Sequence, residues 1–446
     1  MLTLCLFGCA PLQPTDAGLP DPARDVEKQP ESGSGPGSSQ PQGVHDLSAG
    51  TSRQDLGVLV AGNSAFAWDF YQAVRGQEGN LFYSPYSISA ALAMTYAGAR
   101  RDTEKQIAET LHYDLPQEGL HPAFKSLASL LNSTAEIVSD DQDQQPFQLN
   151  IANSLWGQSG YPFRSQFLDL LALNYQSGLR QVDFRNQPDD ARLEINRWVA
   201  DETGDRIRDL IPEGEIDLLT RLVLVNAIYF KADWSHPFAV EETTDRPFTL
   251  LDGSVLDVPM MSHEQPVRLP YLAGDGYKAV VLPYAGGTTS MLIIVPDTGL
   301  DAGPVAGKFE DFEAALDQEL VNEILAGLEP GLVSLTMPKF SFESEYRLKD
   351  TLEAMGMPDA FDPRLADFSG MEDPQEELFI DDVFHKAFVA VDEKGTEAAA
   401  ATAVVMRALM AIYGEFELTV DRPFIFLIQD QPSGAILFVG RVLNPA

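Results

Sequence analysis

A single α+β domain with mixed β-sheets is the fold class this sequence predicts, and three observations carry the prediction. Apolar stretches of strand-like and helix-like spacing follow one another irregularly, without the strand-helix-strand alternation that builds a parallel sheet. No internal repeat is visible, so stacked-repeat architectures drop out. Hydrophobic residues make up 44% of the 446 positions, enough to bury a large core. The only cysteines, Cys5 and Cys9, lie at the extreme N-terminus. The folded part therefore has no disulfide, thiolate metal site or cysteine nucleophile, and packing must hold it together.

The chain opens on a short apolar stub, Leu2-Thr3-Leu4-Cys5-Leu6-Phe7-Gly8, ahead of Cys9. A hydrophobic stretch ending in Leu-Phe-Gly-Cys resembles the lipobox of bacterial lipoproteins, which implies lipid attachment at Cys9 and export to the cell surface. Three features depart from that pattern: no basic residue precedes the run, the run is short for an export signal, and Phe7 is bulky where small residues are usual. An ordinary signal peptide and a secreted protein stay open. From Ala10 to residue 54 the composition turns to Pro, Gly, Ser, Gln and Asp, as in Glu31-Ser32-Gly33-Ser34-Gly35-Pro36. Such a segment buries too little apolar area to offset its conformational entropy. It reads as a disordered tether between residues 1–9 and the folded domain, residues 55–446.

Within that domain, Val58 to Val74 has apolar residues at helical spacing (Val58, Ala61, Ala65, Phe66, Phe70, Ala73) and predicts a helix. Asn80 to Ser84 is a short apolar piece entering a turn at Pro85, and a buried helix follows to Leu92. Ile195-Asn196-Arg197-Trp198-Val199, with Thr203 and Ile207, reads as an amphipathic helix. Ala279 to Tyr284 and Met291 to Pro296 read as strands of a second sheet. Val333 to Phe340 is a further strand, and Tyr346 to Met355 a helix leading into Asp359-Ala360-Phe361.

Charge and motif content exclude several functions. Acidic residues number 67 against 30 basic ones, for a net charge of −37. A solvated acidic surface accounts for this, and a salt-rich habitat is the sharper alternative. Nucleic acid is excluded as a partner, because phosphate binding needs the lysine and arginine clusters this chain lacks. The six histidines are scattered, and no phosphate loop, dinucleotide fingerprint or nucleophile elbow is present. Glu376-Glu377 and Asp381-Asp382 read as solvated surface rather than as a catalytic pair. No catalytic constellation, metal site or cofactor site emerges, and the chain reads as a non-enzyme.

One stretch organises the rest: Glu393-Lys394-Gly395-Thr396-Glu397-Ala398-Ala399-Ala400-Ala401-Thr402-Ala403-Val404-Val405-Met406, running on to Arg407-Ala408-Leu409-Met410. Alanine propensity alone favours a helix. A period-two reading is more informative. Thr396, Ala398, Ala400, Thr402, Val404 and Met406 share one uncharged face, while Glu397 and Arg407 fall on the other. Such a segment can enter a sheet with one side buried and the other wet, and no proline spoils its ladder.

These residues resemble the hinge of an inhibitory serpin, the start of its reactive-centre loop. The pattern that follows that loop in the family is present too, as Phe416 with Asp421-Arg422-Pro423-Phe424-Ile425-Phe426 and then Gly440-Arg441-Val442-Leu443-Asn444-Pro445. The resemblance covers roughly Asp55 to Ala446. It implies the serpin fold: mixed β-sheets, about eight or nine helices and an exposed loop, here residues 393–415. By the same resemblance Tyr86 to Leu92 belongs to the second helix, beneath the main sheet. Asn150 to Trp156 is a strand of that sheet, and Leu222 to Lys231 the central strand that moves aside to admit the loop. Ser84, Ser87, Asn226 and His385 would then cluster where the sheet opens, and Trp234 would mark where insertion begins. His385 and Trp234 also have plainer readings, as a hydrogen-bonded core histidine and a core tryptophan.

The loop has the chemistry of a substrate. In the inhibitory serpin mechanism a serine protease attacks it, forms an acyl-enzyme, and is carried off and distorted as the freed end inserts as a new strand. The hinge residues Gly395, Thr396, Glu397, Ala398, Ala399, Ala400, Ala401 and Thr402 suit that insertion, and the protein would act as a monomer. Counting forward from Glu393 by the family's hinge length puts Leu409 before the cleaved bond and Met410 after it. Counting back from Pro423 lands later, near Ile412. Leu409 points to chymotrypsin-, elastase- or subtilisin-like targets with apolar pockets, whereas Arg407 would point to a trypsin-like one. A serpin-fold binding protein that traps nothing, or an inhibitor of cysteine proteases, remains the alternative.

Overall fold

Ser52 caps the first helix, α1 (Arg53–Val74). Its hydroxyl accepts the Asp55 N–H at 3.1 Å while the Asp55 carboxylate accepts the Ser52 N–H at 2.9 Å. This reciprocal cap satisfies two backbone donors that a helix start leaves bare, so the helix begins ahead of the apolar spacing that starts at Val58. The computed structural model describes residues 51–135, 148–175, 178–297, 305–372, 378–396 and 415–446. The stub with Cys5 and Cys9, most of the tether, Glu376-Glu377, and loop residues 397–414 lie outside the described residues. The other helices are α2 (Pro85–Tyr96), α3 (Arg101–Thr110), α4 (Gln117–Ala135), α5 (Ser165–Asn174), α6 (Pro188–Glu202), α7 (Val305–Ala315), α8 (Gln318–Gly327) and α9 (Lys349–Met355).

The strands form two sheets, as expected for a mixed α+β domain. The six-stranded sheet runs β11 (Phe340–Arg347), β12 (Val383–Val391), β13 (Gly395–Thr396), β4 (Leu222–Asp233), β2 (Gln148–Gln158), β3 (Leu179–Val182). The ten-stranded sheet runs β1 (Leu81–Tyr83), β16 (Ile436–Val442), β15 (Phe424–Asp430), β9 (Thr289–Pro296), β8 (Tyr277–Pro283), β7 (Val267–Ala273), β10 (Glu329–Pro338), β6 (Val255–Ser262), β5 (Thr244–Thr249). Its remaining strand, β14 (Glu415–Thr419), pairs parallel with β10.

β4 shows why its sequence carries no apolar-polar alternation. Leu224, Ile228 and Phe230 join the main core with α2, whereas Val223, Val225 and Ala227 pack in a second cluster with Ile195 and Val199 of α6. A strand covered on both faces reads as one continuous apolar run. α2 is buried along its whole length and packs against β2 and β4 of one sheet and β16 of the other. Pro85 occupies its first turn, where a missing N–H is no loss.

Three expectations need correction. Tyr346 is not helical: it lies in β11, opposite His385 of β12, and the helix starts only at Lys349. Cross-strand pairing along the whole of β11 outweighs the helical propensity of the residues that follow. Val333 to Phe340 is not one strand, because the chain changes sheets there, leaving β10 at Pro338 and entering β11 at Phe340. Asp381 and Asp382 are not solvated surface. Asp382 is buried and accepts from Arg347 Nε at 2.9 Å, and Asp381 accepts from the Thr220 hydroxyl at 3.1 Å. Burial, more than its charged neighbours, raises the Asp381 pKa above the usual carboxylate range.

Candidate functional site

β12 and β4 are parallel neighbours from Val383 opposite Leu224 to Phe388 opposite Tyr229. Beyond that they part, and β13 stands between them: Thr396 pairs with Val391 on one side and Ala232 on the other, antiparallel to both. Glycine is required at the entry. A Cβ on Gly395 would sit 2.0 Å from the Ala232 carbonyl oxygen and 2.7 Å from the Asp233 Cα. Thr396 is buried, and its hydroxyl meets the Tyr284 hydroxyl at 2.8 Å.

The turn leading into β13 is anchored on every side. Asp392 accepts the N–H groups of Lys394 and Gly395 on its side-chain Oδ1, at 2.9 and 3.3 Å. Trp234 donates its indole N–H to the Asp392 carbonyl at 3.1 Å and its backbone N–H to the Lys394 carbonyl at 2.6 Å. The Trp234 ring stacks on Tyr284, centroids 4.4 Å apart. Glu393 accepts from the Thr243 hydroxyl and the Lys339 ammonium, both at 2.8 Å. Burial would raise the Glu393 pKa, but these donors outweigh it and leave the carboxyl below its usual value.

Under the same sheet lies a closed polar row. Asn153 of β2, Asn226 of β4 and His385 of β12 stand in register across three strands. The Ser84 N–H can only donate, so His385 Nε2 accepts it, at 3.2 Å. His385 Nδ1 therefore carries the proton and donates to Asn226 Oδ1. Asn226 Nδ2 donates to the Ser87 hydroxyl at 2.7 Å and to Asn153 Oδ1 at 2.5 Å. The Ser87 hydroxyl donates to Asn153 Oδ1 at 2.9 Å, and Asn153 Nδ2 returns a bond to the Ser87 carbonyl at 3.1 Å. Burial pushes the His385 pKa down to about 3, so the ring is neutral at pH 7.

Ser84, Ser87, Asn226 and His385 are thus brought together as a cluster, and Trp234 lies against the turn before β13; both His385 and Trp234 are buried, as their plain core readings expect. Leu409, Met410, Arg407, Glu397, Ala398 to Ala401 and Thr402 fall outside the described residues. Sequence reasoning missed Asn153, Asp392, Thr243, Lys339 and Tyr284. Asn153 had a signal, a polar residue within the strand segment Asn150 to Trp156. The others had none, because only the fold carries them to the hinge.

A large mixed sheet, a smaller sheet with the short strand β13 lodged between two of its strands, and a polar row across the dividing line define the class: an α+β protein of serpin architecture. The sequence matches the family model described as Serpin (serine protease inhibitor) over residues 61–445. An uncharacterized serpin-like protein of Thermococcus kodakarensis is 40% identical over 394 residues, 88% of this chain and 87% of that one. The leukocyte elastase inhibitor of Xenopus laevis is 38% identical over 382 residues, covering 85% of this chain and 97% of that protein. The crystal structure of human thyroxine-binding globulin in complex with its hormone superposes with a TM-score of 0.74 at 30% identity, covering 88% and 100%. The chain belongs to the serpin family, whose partner is a target protease.

Proposed function

We propose that this serpin is a suicide-substrate inhibitor of serine proteases, with Leu409 before the cleaved bond and Met410 after it. The observation that carries the reading is the seating of Thr396. β13 is antiparallel to both β12 and β4 and ends where their direct ladder begins, so the residues that follow in a cleaved loop would pair in turn and displace that ladder. Thr396 is buried, and Ala398, Ala400, Thr402, Val404 and Met406 share its period-two face, uncharged throughout. An acyl-linked protease would be drawn along with that strand.

An apolar residue before the bond suits chymotrypsin-, elastase- or subtilisin-like enzymes, and several relatives carry the name leukocyte elastase inhibitor. The domain would act outside the cell, tethered through residues 10–54 and a lipid on Cys9. Loss of membrane association in Cys9→Ser would support the anchor, and unchanged association would reject it.

The test is to mix the protein with chymotrypsin, an elastase, subtilisin and trypsin and analyse denaturing gels and released peptides. A complex that survives denaturant, with a peptide starting at Met410, supports both trapping and the bait. A peptide starting at Ala408 with trypsin moves the bait to Arg407. Clean loop cleavage by every enzyme with no complex rejects trapping of these targets, and favours a binding role of the kind thyroxine-binding globulin has in the same fold.

A further inference from the structure

A cavity bounded by α2, α4, α6 and the outer edge of β2 shares no residue with the turn before β13. Its volume is about 410 Å³, within the range of small-molecule sites. β2 pairs with β4 along nearly its whole length, but with β3 only from Leu155 to Gln158. Among the described residues nothing extends the sheet beside residues 148–154, and the cavity lies against that stretch, lined by Leu149, Ile151 and Asn153. Leu149 and Ile151 of β2, Met94 of α2 and Phe124 of α4 give it an apolar lining.

Its polar wall is unusual. The Arg180 guanidinium lies over the Trp198 ring at 4.8 Å and the Trp156 ring at 5.5 Å. Stacking occupies the face of a guanidinium and leaves its N–H edge free. Arg180 Nε and Trp198 Nε1 are both buried, and neither has an acceptor among the described residues. Buried donors of this kind call for a partner. No carboxylate among the described residues pairs with Arg180. The lining has two cations, Arg180 and Lys125, against one acid, Glu202, in a protein whose net charge is −37. Local charge and open donors both favour an anion, and the remaining wall favours hydrocarbon.

We propose that this cavity binds a small amphipathic carboxylate, its headgroup held by the Arg180 and Trp198 N–H groups and its apolar body by Leu149, Ile151, Met94 and Phe124. The cavity lies apart from the loop, since none of these residues belongs to it. Asn153 lines the cavity and also bonds to Ser87 and Asn226. An occupant therefore touches the polar row beneath the sheet and stabilises the arrangement seen here.

The full chain would be titrated with decanoate below its micelle concentration, following tryptophan fluorescence and calorimetric heat, with decylamine and decanol as matched controls. Saturable decanoate binding, a raised melting temperature, and a loss of about tenfold in affinity in Arg180→Met are expected, that variant keeping the apolar stem but not the charged donor. Decylamine should not compete. Equal binding of decylamine, unchanged affinity in Arg180→Met, or no saturable binding would overturn the proposal. Should Arg180→Met fail to fold, Ala128→Leu fills the cavity from α4, and undiminished decanoate binding there would be equally fatal.

Discussion

His385 of β12 donates its Nδ1 proton to Asn226 of β4 across the one seam at which two parallel strands of the six-stranded sheet meet directly and then part around the hinge. Neighbouring strands lie roughly 4.8 Å apart, so a strand inserted between them would double the spacing and break this bond. The row that closes the sheet is also what the proposed insertion would have to open.

Asn226→Ala removes the acceptor of His385 and a donor to both Ser87 and Asn153. Leaving buried groups unsatisfied costs about 1–3 kcal/mol each, so the uncleaved protein should melt a few degrees lower. The loop-cleaved protein, in which an inserted strand would already separate the two residues, should fall less. Equal losses in both forms would argue against the seam as the insertion site.

The acid limb of stability should carry a histidine signature. Burial holds His385 near pKa 3 and His121 and His263 near 4, against an ordinary value of about 6.5. Between those limits the unfolded chain takes up protons that the folded chain refuses, so stability is full above pH 6.5 and falls as the pH drops toward 3. In His385→Gln the loss between pH 6.5 and 4.5 should be shallower than in the parent, measured as urea midpoints. Parallel pH profiles would show that His385 does not titrate on unfolding.

Glu393, Lys339 and Thr243 pin the hinge turn. The Glu393 side chain is 7% exposed and that of Lys339 is 38%, so the pair ranks between surface and buried ion pairs. A double-mutant cycle with Glu393→Gln and Lys339→Met should give a coupling of about 0.5–2 kcal/mol. A coupling indistinguishable from zero would reduce the contact to a solvated one.

Gly395→Ala forces a methyl group into the Ala232 carbonyl, at a cost of about 1–3 kcal/mol. The turn should leave the seam, and the Trp234 indole should lose its bond to the Asp392 carbonyl. Faster hydrogen exchange at Gly395 and Thr396 and altered Trp234 fluorescence are the expected readouts. A variant that keeps parent-like exchange there would refute the steric argument.

Salt should stabilise the protein. With a net charge of −37 the folded state repels itself more than an expanded one, and raising ionic strength from 0.1 to 1 M shortens the screening length from about 10 to 3 Å. The melting temperature in sodium chloride should rise over that range. A flat or falling curve would mean that local ion pairs outweigh the global repulsion.

The fold class and several buried elements could be read from the chain itself, because they rest on local signals. Continuous apolar runs such as Leu222 to Phe230 mark strands covered on both faces, and Ser84-Pro85 marks a helix start. Where the chain leaves one sheet for the other at Lys339, and where Tyr346 pairs instead of coiling, local propensity misled. Partners distant in sequence decide such points. The clustering of Ser84, Ser87, Asn226 and His385 was foreseen only through the family resemblance, and Asn153 escaped it.

What the sequence determined alone was which residues could be buried, which segment could become a strand, and that no cysteine chemistry holds the domain. What only the tertiary structure decided was the neighbour of each polar group. Asn153, Asn226 and His385 close a row because three strands share one register, and Glu393 meets Lys339 and Thr243 because the chain returns there from two separate excursions. Hydrogen bonds act over about 3 Å. Spacing along the chain says nothing about such distances until the sheets have formed.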